Sequence, residues 1–207
     1  IIIDGTATVV ASASAGAGIG GGSGKNGTGE GGRIVLGGAA NVTAISESAA
    51  GIGSGDSANL NVFLTGNGGE VLITDNATVQ ARSNTGAGIG GGEPYYSGSG
   101  SKYNSCSYGT GIDGKLTING NANVTAISTG ASGIGAGFYS SYPSGSYATG
   151  PNGVISISGN TVVNATGAVY GIGGYDTATN GALNIFGGKV TAMATDAEKS
   201  YACGIGR

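Results

Sequence analysis

The sequence has no histidine, no tryptophan and only two cysteines, and 9% of its 207 residues are charged. Histidine is the usual general base beside a serine or cysteine nucleophile and a frequent zinc ligand. The two cysteines, Cys106 and Cys203, are too far apart for a zinc-binding pair and too few for a disulfide framework. These absences disfavour zinc sites and nucleophile–base catalysis, and we expect neither a metal nor a cofactor.

Positive charge is also scarce. The chain has 8 Lys and Arg against 11 Asp and Glu, which gives a net charge of −3, and the basic residues form no cluster. Binding to nucleic acids or to anionic membranes needs a basic surface, so neither is expected. The sequence also lacks the run of about 18 apolar residues that a membrane-spanning helix requires. We therefore expect no membrane insertion of this segment.

Glycine, in contrast, is abundant, with 47 residues, and it marks a repeat. The tripeptide Gly-Ile-Gly occurs six times, and an alternating apolar pair precedes each copy at a spacing that is constant in the first four. Alternation of apolar and other residues predicts a β-strand at each pair. The central isoleucines are Ile19, Ile52, Ile89, Ile134, Ile172 and Ile205, and the pairs are Ile1/Ile3, Ile34/Leu36, Val71/Ile73, Leu116/Ile118, Ile155/Ile157 and Leu183/Ile185.

A second alternating segment lies between the apolar pair and Gly-Ile-Gly. It reads Ala-x-Val-x-Ala in four copies, and Thr161-x-Val163-x-Ala165 is a fifth, less regular copy. This pattern predicts a second strand. A glycine or aspartate separates the two strands, as a sharp corner with unusual φ and ψ requires. The corner residues are Gly5, Gly38, Asp75, Gly120 and Gly159.

These patterns predict an all-β fold, a single-stranded parallel β-helix of about six coils. Copies stacked about 4.8 Å apart pair every strand with its equivalent in the next copy, and they place identical or similar side chains next to each other. Crossovers between parallel strands favour a right-handed coil. Gly-Ile-Gly is expected to form a tight bend with an inward isoleucine. The predicted strands lie near 1–4, 7–13, 34–36, 40–46, 71–74, 77–83, 116–118, 122–128, 155–158, 161–166 and 183–186. We treat 1–207 as one repeat domain with repeats at about 1–33, 34–70, 71–115, 116–154, 155–182 and 183–207.

The strand patterns followed by Ala-Gly-Ile-Gly-Gly-Gly, at 17–22 and 87–92, resemble the Gly-rich β-helical repeats of bacterial cell-surface, adhesin-like proteins. The resemblance covers essentially the whole chain. It implies an extracellular or cell-surface location and a role as a stalk, adhesin or glycan-associated module, without shared catalytic residues. Because the chain begins without Met and ends just after a repeat, we expect it to be a fragment of a longer protein.

The segments between Gly-Ile-Gly and the next strand vary in length, and insertions of this kind collect on one edge of a solenoid. Most tyrosines lie in or beside them, and we expect their rings to form one aromatic patch. A tyrosine ring offers a flat apolar face and a hydroxyl to a sugar or to a protein partner, while packing of the rings against each other is the alternative. The candidate binding residues are Tyr95, Tyr96, Tyr103, Tyr139, Tyr142, Tyr147 and Tyr175, with Tyr108 and Tyr170 nearby. The expected partner is a glycan or a host or bacterial surface protein.

Carboxylates are the remaining candidates for catalysis, because polysaccharide-cleaving β-helices use acids and bases on their surface. Asp4 and Asp75 belong to turns, and the others are scattered over different loops, so turn-forming or solvated roles are expected and the chain is predicted not to be an enzyme. A carbohydrate-binding module or a polysaccharide-active β-helix is the alternative. The loop residues concerned are Asp56, Glu70, Glu93, Asp113 and Asp176.

Ice binding is a third hypothesis, since flat threonine columns support it in some β-helices. Gln80, Arg82 and Lys189 interrupt the columns here, so ordinary strand propensity explains them better. The two outward columns are Val10, Thr43, Gln80, Thr125, Asn164 and Thr191, and Thr8, Asn41, Thr78, Asn123, Val162 and Lys189.

Overall fold

The computed structural model of the chain describes residues 1–23, 29, 31–55, 69–92, 114–135, 137, 153–173, 182–196 and 202–206. Their regular secondary structure is entirely β, with 18 strands in three parallel sheets of six. The predicted parallel β-helix is therefore confirmed. The handedness of the coil and the assignment of the whole chain to one domain stay predictions.

Each of the six coils contributes one strand to each sheet. The first three coils contain β1 (Ile2–Ile3), β2 (Thr8–Ala13) and β3 (Ile19–Gly20), then β4 (Arg33–Leu36), β5 (Asn41–Ser46) and β6 (Ile52–Gly53), then β7 (Glu70–Ile73), β8 (Thr78–Ser83) and β9 (Ile89–Gly90). The last three contain β10 (Lys115–Ile118), β11 (Asn123–Ser128) and β12 (Ile134–Gly135), then β13 (Val154–Ile157), β14 (Val162–Gly167) and β15 (Tyr170–Gly173), then β16 (Ala182–Ile185), β17 (Lys189–Ala194) and β18 (Cys203–Gly206).

Every strand pairs in parallel with the equivalent strand of the next coil. The first sheet has the order β1-β4-β7-β10-β13-β16, the second runs from β2 to β17, and the third runs from β3 to β18. The register places residues of the same type opposite each other in neighbouring coils, as in Val42 opposite Val79 and Ile52 opposite Ile89. The chain thus passes through the three sheets in turn before it begins the next coil.

The core consists of inward columns that run along the stack. In β5 and β11 buried residues alternate with more exposed ones, as the period of a strand requires. Stacking removes these apolar side chains from water, which is the main favourable contribution to the fold. Fully buried residues of the columns include Ile34, Leu36, Ile73, Ile118, Ile157, Val42, Val79, Val124, Val163, Ile52, Ile134 and Ile172.

The first corner has the unusual backbone that the sequence predicts. Gly5, Gly38, Gly120 and Gly159 have φ between 59° and 77°, and Asp75, the aspartate of this column, has φ 58°. These values lie in the left-handed region, which glycine enters without steric cost and aspartate tolerates. The prediction of a sharp corner with Gly or Asp is confirmed.

Gly-Ile-Gly differs from its prediction, because it forms the third sheet and not only a bend. Ile89 and Gly90 pair with Ile52 and Gly53 on one side and with Ile134 and Gly135 on the other. A Cβ on Gly90, where φ is 135°, would overlap the carbonyl oxygen of Gly135. The tripeptide is therefore a strand whose glycines allow very close backbone approach.

Strand β17 also lies outside the predicted segments. The corner before it, residues 186–188, is shorter than the corner 158–161 of the preceding coil, although Val162 still pairs with Lys189. The shorter corner moves the second strand out of the spacing found in the other copies. The fixed spacing therefore leaves β17 out of the predicted strand segments, although the predicted outward columns include its residues Lys189 and Thr191 in the register that is observed.

Candidate binding edge

The variable segments leave and rejoin the β-helix at one corner, between the third sheet and the first. We call this corner the insertion edge and define it by the described residues that flank the segments. The departing side follows β3, β6, β9, β12 and β15, and the returning side precedes β4, β7, β10, β13 and β16. The expectation that insertions start from a single edge is confirmed for these flanking residues.

Backbone hydrogen bonds hold the returning side in register just before the first sheet. The amide of Glu70 donates to the carbonyl of Gly32 at 2.8 Å, and the amide of Lys115 donates to the carbonyl of Gly69 at 2.8 Å. The same bonds recur in the next two coils, from Val154 to Gly114 and from Ala182 to Gly153, each at 2.9 Å. Each segment therefore returns at an equivalent point of its coil.

The departing side is held in the same way. The amide of Ser54 donates to the carbonyl of Gly90 at 3.0 Å, and the amide of Gly91 donates to the carbonyl of Gly135 at 2.9 Å. The buried hydroxyl of Ser54 also accepts a hydrogen bond of 3.0 Å from the amide of Gly92. Both sides of the insertion edge are thus built of stacked, hydrogen-bonded backbone.

The tyrosines predicted to bind at this edge lie outside the described residues. They are Tyr95, Tyr96, Tyr103, Tyr139, Tyr142, Tyr147 and Tyr175, and the nearby Tyr108 lies outside the described residues as well. Tyr170 is described and corrects one expectation, because it lies in β15 and is only 5% exposed. It packs with Ala168, Val169 and Cys203, so it belongs to a small core and not to a surface patch.

Three charged side chains stack on the returning side, each at the first position of its strand. The Nε of Arg33 donates to Oε2 of Glu70 at 3.1 Å, and the Nζ of Lys115 lies 3.8 Å from Oε1 of Glu70. Glu70 was expected in a loop, but it begins β7. A shared position one residue before the apolar pair, in three successive repeats, is the signal that could have revealed this row. All three side chains are well exposed, so the row contributes little to stability.

The aspartates of the first corner act as turn residues, as predicted. Oδ1 of Asp4 accepts the amide of Gly5 at 2.7 Å, and Oδ2 of Asp75 accepts the amide of Gly38 at 3.1 Å. The other candidate acids, Asp56, Glu93, Asp113 and Asp176, lie outside the described residues. Within the described part of the chain, no three His, Cys, Asp or Glu side chains are grouped to hold a metal ion.

The outward face of the second sheet shows the two predicted columns in register. Thr43 pairs with Gln80 and Gln80 with Thr125, while Asn41 pairs with Thr78 and Thr78 with Asn123. Three further outward positions, Ile45, Arg82 and Ile127, form a third column. Threonine therefore alternates with amide, apolar and basic side chains across this face.

A family model described as Beta helix repeat matches residues 67–93 and 116–138. The chain is a β-helical repeat protein. The first matched stretch includes β7, β8 and β9, and the second includes β11, β12 and most of β10. The repeat unit therefore corresponds to one coil of three strands. The segment between β9 and β10 lies almost entirely outside the two matches. It is therefore an insertion into a regular repeat.

No curated protein and no solved structure gives a significant match to this β-helical repeat protein. Among the residues that the structure describes, there is no helix long and apolar enough to cross a membrane.

Proposed function

We propose that this chain is a structural and adhesive, non-enzymatic β-helix segment of an extracellular surface protein, and that its insertion edge carries the binding face. The supporting observation is that the flanks of successive variable segments stack at one edge of a repetitive core. A stalk needs a rigid unit that extends by repetition, and a binding face needs variable chain on a fixed support. The stacked coils meet both needs.

The second part of the proposal concerns the residues of the insertion edge that contact the partner. Tyr95, Tyr96 and Tyr103 lie in the sequence between β9 and β10, and Tyr139, Tyr142 and Tyr147 lie between β12 and β13. Tyr175 follows β15. Because the flanking residues of neighbouring coils are in parallel register, the topology brings the ends of these segments to adjacent positions. We propose that these tyrosines contact a glycan or a surface protein, each ring supplying a flat apolar face and a hydroxyl.

The absence of catalysis is likewise part of the proposal. β-Helix repeats occur in polysaccharide-active enzymes as well as in proteins without activity. The described carboxylates Asp4 and Asp75 bind turn amides, and Glu70 lies between two cations. An acid and base pair for sugar cleavage needs two carboxyl groups about 5–9 Å apart on either side of the bond. Asp4 and Asp75 do come close to each other, since both carboxylates would contact a Cβ on Gly37, but each of them accepts a backbone amide of its corner, as a turn residue does.

Binding to a glycan array, together with a screen of common polysaccharides for cleavage products, tests this proposal. We expect binding without cleavage, and we expect the double change Tyr139→Ala and Tyr142→Ala to abolish it, because each ring contributes about 0.5–1.5 kcal/mol beyond its buried area. Thr43→Ala with Thr125→Ala, on the outward face of the second sheet, is the matched control and should bind normally. Release of sugar fragments would overturn the non-enzymatic assignment.

The location needs a separate measurement. An antibody against the chain should label intact cells of the source organism, and external protease should remove the label. Labelling only after permeabilisation would contradict a surface location.

A further inference from the structure

At the first corner of the first two coils, the amide of the corner residue donates to a side chain. The amide of Gly5 donates to Oδ1 of Asp4 at 2.7 Å, and the amide of Gly38 donates to Oδ2 of Asp75 at 3.1 Å. In both coils this amide therefore faces a side chain and not the backbone of a neighbouring coil.

Asn119 and Gly120 form the same corner in the fourth coil. The register of the first sheet places Asn119 in the column of Asp4, and Gly120 in the column of Gly5. The backbone of the two corners is alike, with φ 68° at Gly5 and 73° at Gly120. The carbonyls of both glycines also accept a backbone amide from the next coil. The contact between Asp4 and the amide of Gly5 therefore shows how Asn119 lies against the amide of Gly120.

Three further features favour a reaction between Asn119 and Gly120. Gly159 follows Gly120 in this column, and a glycine has no side chain that could reach back to the Gly120 amide as Asp75 reaches back to Gly38. Among the residues that the structure describes, Asn119 is the one asparagine that a glycine follows, and glycine has no Cβ to shield its nitrogen. Both residues are partly exposed, so water reaches the corner.

We propose that Asn119 is a site of spontaneous deamidation, at which the folded corner positions the nitrogen of Gly120 for attack on the side-chain amide of Asn119. A bond forms between this nitrogen and Cγ of Asn119. The side-chain NH2 group leaves as ammonia, together with the proton of the Gly120 nitrogen, and a cyclic succinimide remains. Holding the two groups in contact favours the reaction, because they do not first have to find each other.

Water then opens the succinimide in one of two ways. Hydrolysis at Cγ gives aspartate, and hydrolysis at the backbone carbonyl gives isoaspartate. Aspartate suits the corner, since Asp4 occupies the same column. Isoaspartate adds a methylene to the backbone between the amides of Asn119 and Asn121, both of which bond to carbonyls of the preceding coil. The second product therefore disturbs the register between the third and fourth coils.

Incubation of the folded chain at neutral pH tests the proposal, with the modified residues located by chymotryptic peptide mapping and mass spectrometry. We expect the mass increase of amide-to-acid conversion at Asn119, with isoaspartate at the same position. Asn121 and Asn160 should stay unchanged, because Ala122 and Thr161 follow them. A sample kept in guanidinium chloride shows that the conditions permit the reaction.

An intact Asn119 in the folded chain would overturn the proposal. Equal modification of Asn121 and Asn160 would also overturn it, since these residues lack the following glycine. Neither result depends on a binding partner or on the location of the protein, so failure here is distinguishable from failure of the proposed function.

Two variants separate reaction in the folded chain from reaction after unfolding. Asn119→Ser removes the reacting side chain and fits the column, where Ser158 lies in the next coil, so this corner should stay unmodified. Ile89→Ala raises the unfolded fraction by truncating a core side chain. We expect the rate at Asn119 to be the same in Ile89→Ala as in the unchanged chain, as long as both stay folded. A rate that rises with the unfolded fraction would contradict positioning by the folded corner.

Discussion

The hydroxyl of Ser83 donates a 2.7 Å hydrogen bond to the carbonyl oxygen of Ala49 in the preceding coil. The same bond joins Ser46 to Gly16 at 2.8 Å and Ser128 to Gly86 at 2.7 Å. The three serines pair with one another in the second sheet and are at most 3% exposed. This buried serine column connects successive coils at the point where the chain turns from the second sheet to the third.

Ser83→Ala should destabilise the protein by about 1–3 kcal/mol, because the buried carbonyl of Ala49 loses its donor. Alanine fits the position, since Ala13 and Ala194 occupy the same column in the end coils. Ser12→Ala, at an exposed outward position of β2, is the control and should change stability by less than about 0.5 kcal/mol. Thermal and urea unfolding of both variants measure the difference. Equal effects would show that the hydrogen bond does not stabilise the stack.

The sequence predicts the first two sheets well because apolar alternation is strong there. Val42 and Ala44 are inward as expected, and the alternation continues to Ser46, which is also buried. The hydrogen bonds of Ser46 could not be predicted, because its acceptor is a carbonyl of another coil at a turn. A polar residue at an inward position is normally interpreted as the end of a strand.

The third sheet is harder to predict because glycine has low strand propensity and no side chain to show a facing pattern. Only Ile89 and its equivalents mark it. The candidate binding edge is less predictable still: the variable segments share no repeat, so sequence locates the edge but not the contacts on it. The Arg33–Glu70 ion pair is predictable only from the repeat register, because both residues stand one position before the apolar pair and stacking of the two coils brings them together.

Ile89→Ala should cost about 2–5 kcal/mol, because truncation leaves a cavity in a core column that cannot collapse freely. Ile89 is 1% exposed and lies between Ile52 and Ile134. Thr125→Ala, on an outward face, should cost little by comparison. Denaturant unfolding of the two variants checks the assignment of the faces, and similar losses would contradict it.

Gly90→Ala should destabilise the third sheet strongly, since the added Cβ overlaps the carbonyl oxygen of Gly135 and φ is 135°. Gly90 and Gly135 both lie in strands that are paired on each side, so neither backbone can move away at low cost. Gly22→Ala is the matched control: a Cβ there meets nothing within 4 Å, and we expect a change below about 0.5 kcal/mol. Comparison of the two melting temperatures tests this interpretation of Gly-Ile-Gly. A Gly90→Ala variant as stable as Gly22→Ala would show that the coils can separate locally.

Both cysteines should be free thiols. Cys203 is a free cysteine beside Tyr170, whereas Cys106 lies outside the described residues. In sequence Cys106 follows the third coil, and three coil steps, or roughly 14 Å, separate that coil from the coil of Cys203, so we expect the two thiols to be beyond ordinary disulfide reach. Thiol titration under denaturing, non-reducing conditions should find two reactive groups per chain. A count near zero would show a bond between them.

Thr161→Val should stabilise the protein by about 1–2 kcal/mol, because it removes a buried hydroxyl while keeping the shape of the side chain. Thr161 is 1% exposed, and its Oγ1 has no hydrogen-bond partner in the described structure. Thr161 occupies the position that Ala122 has in the preceding coil. Gly188 of the next coil lies close to the Thr161 hydroxyl. Thr125→Val, on the outward face of the neighbouring coil, controls for the strand propensity of valine and should change stability by less than about 0.5 kcal/mol. Thermal unfolding decides the matter: a lower melting temperature for Thr161→Val than for the unchanged chain would mean that a partner stabilises the Thr161 hydroxyl.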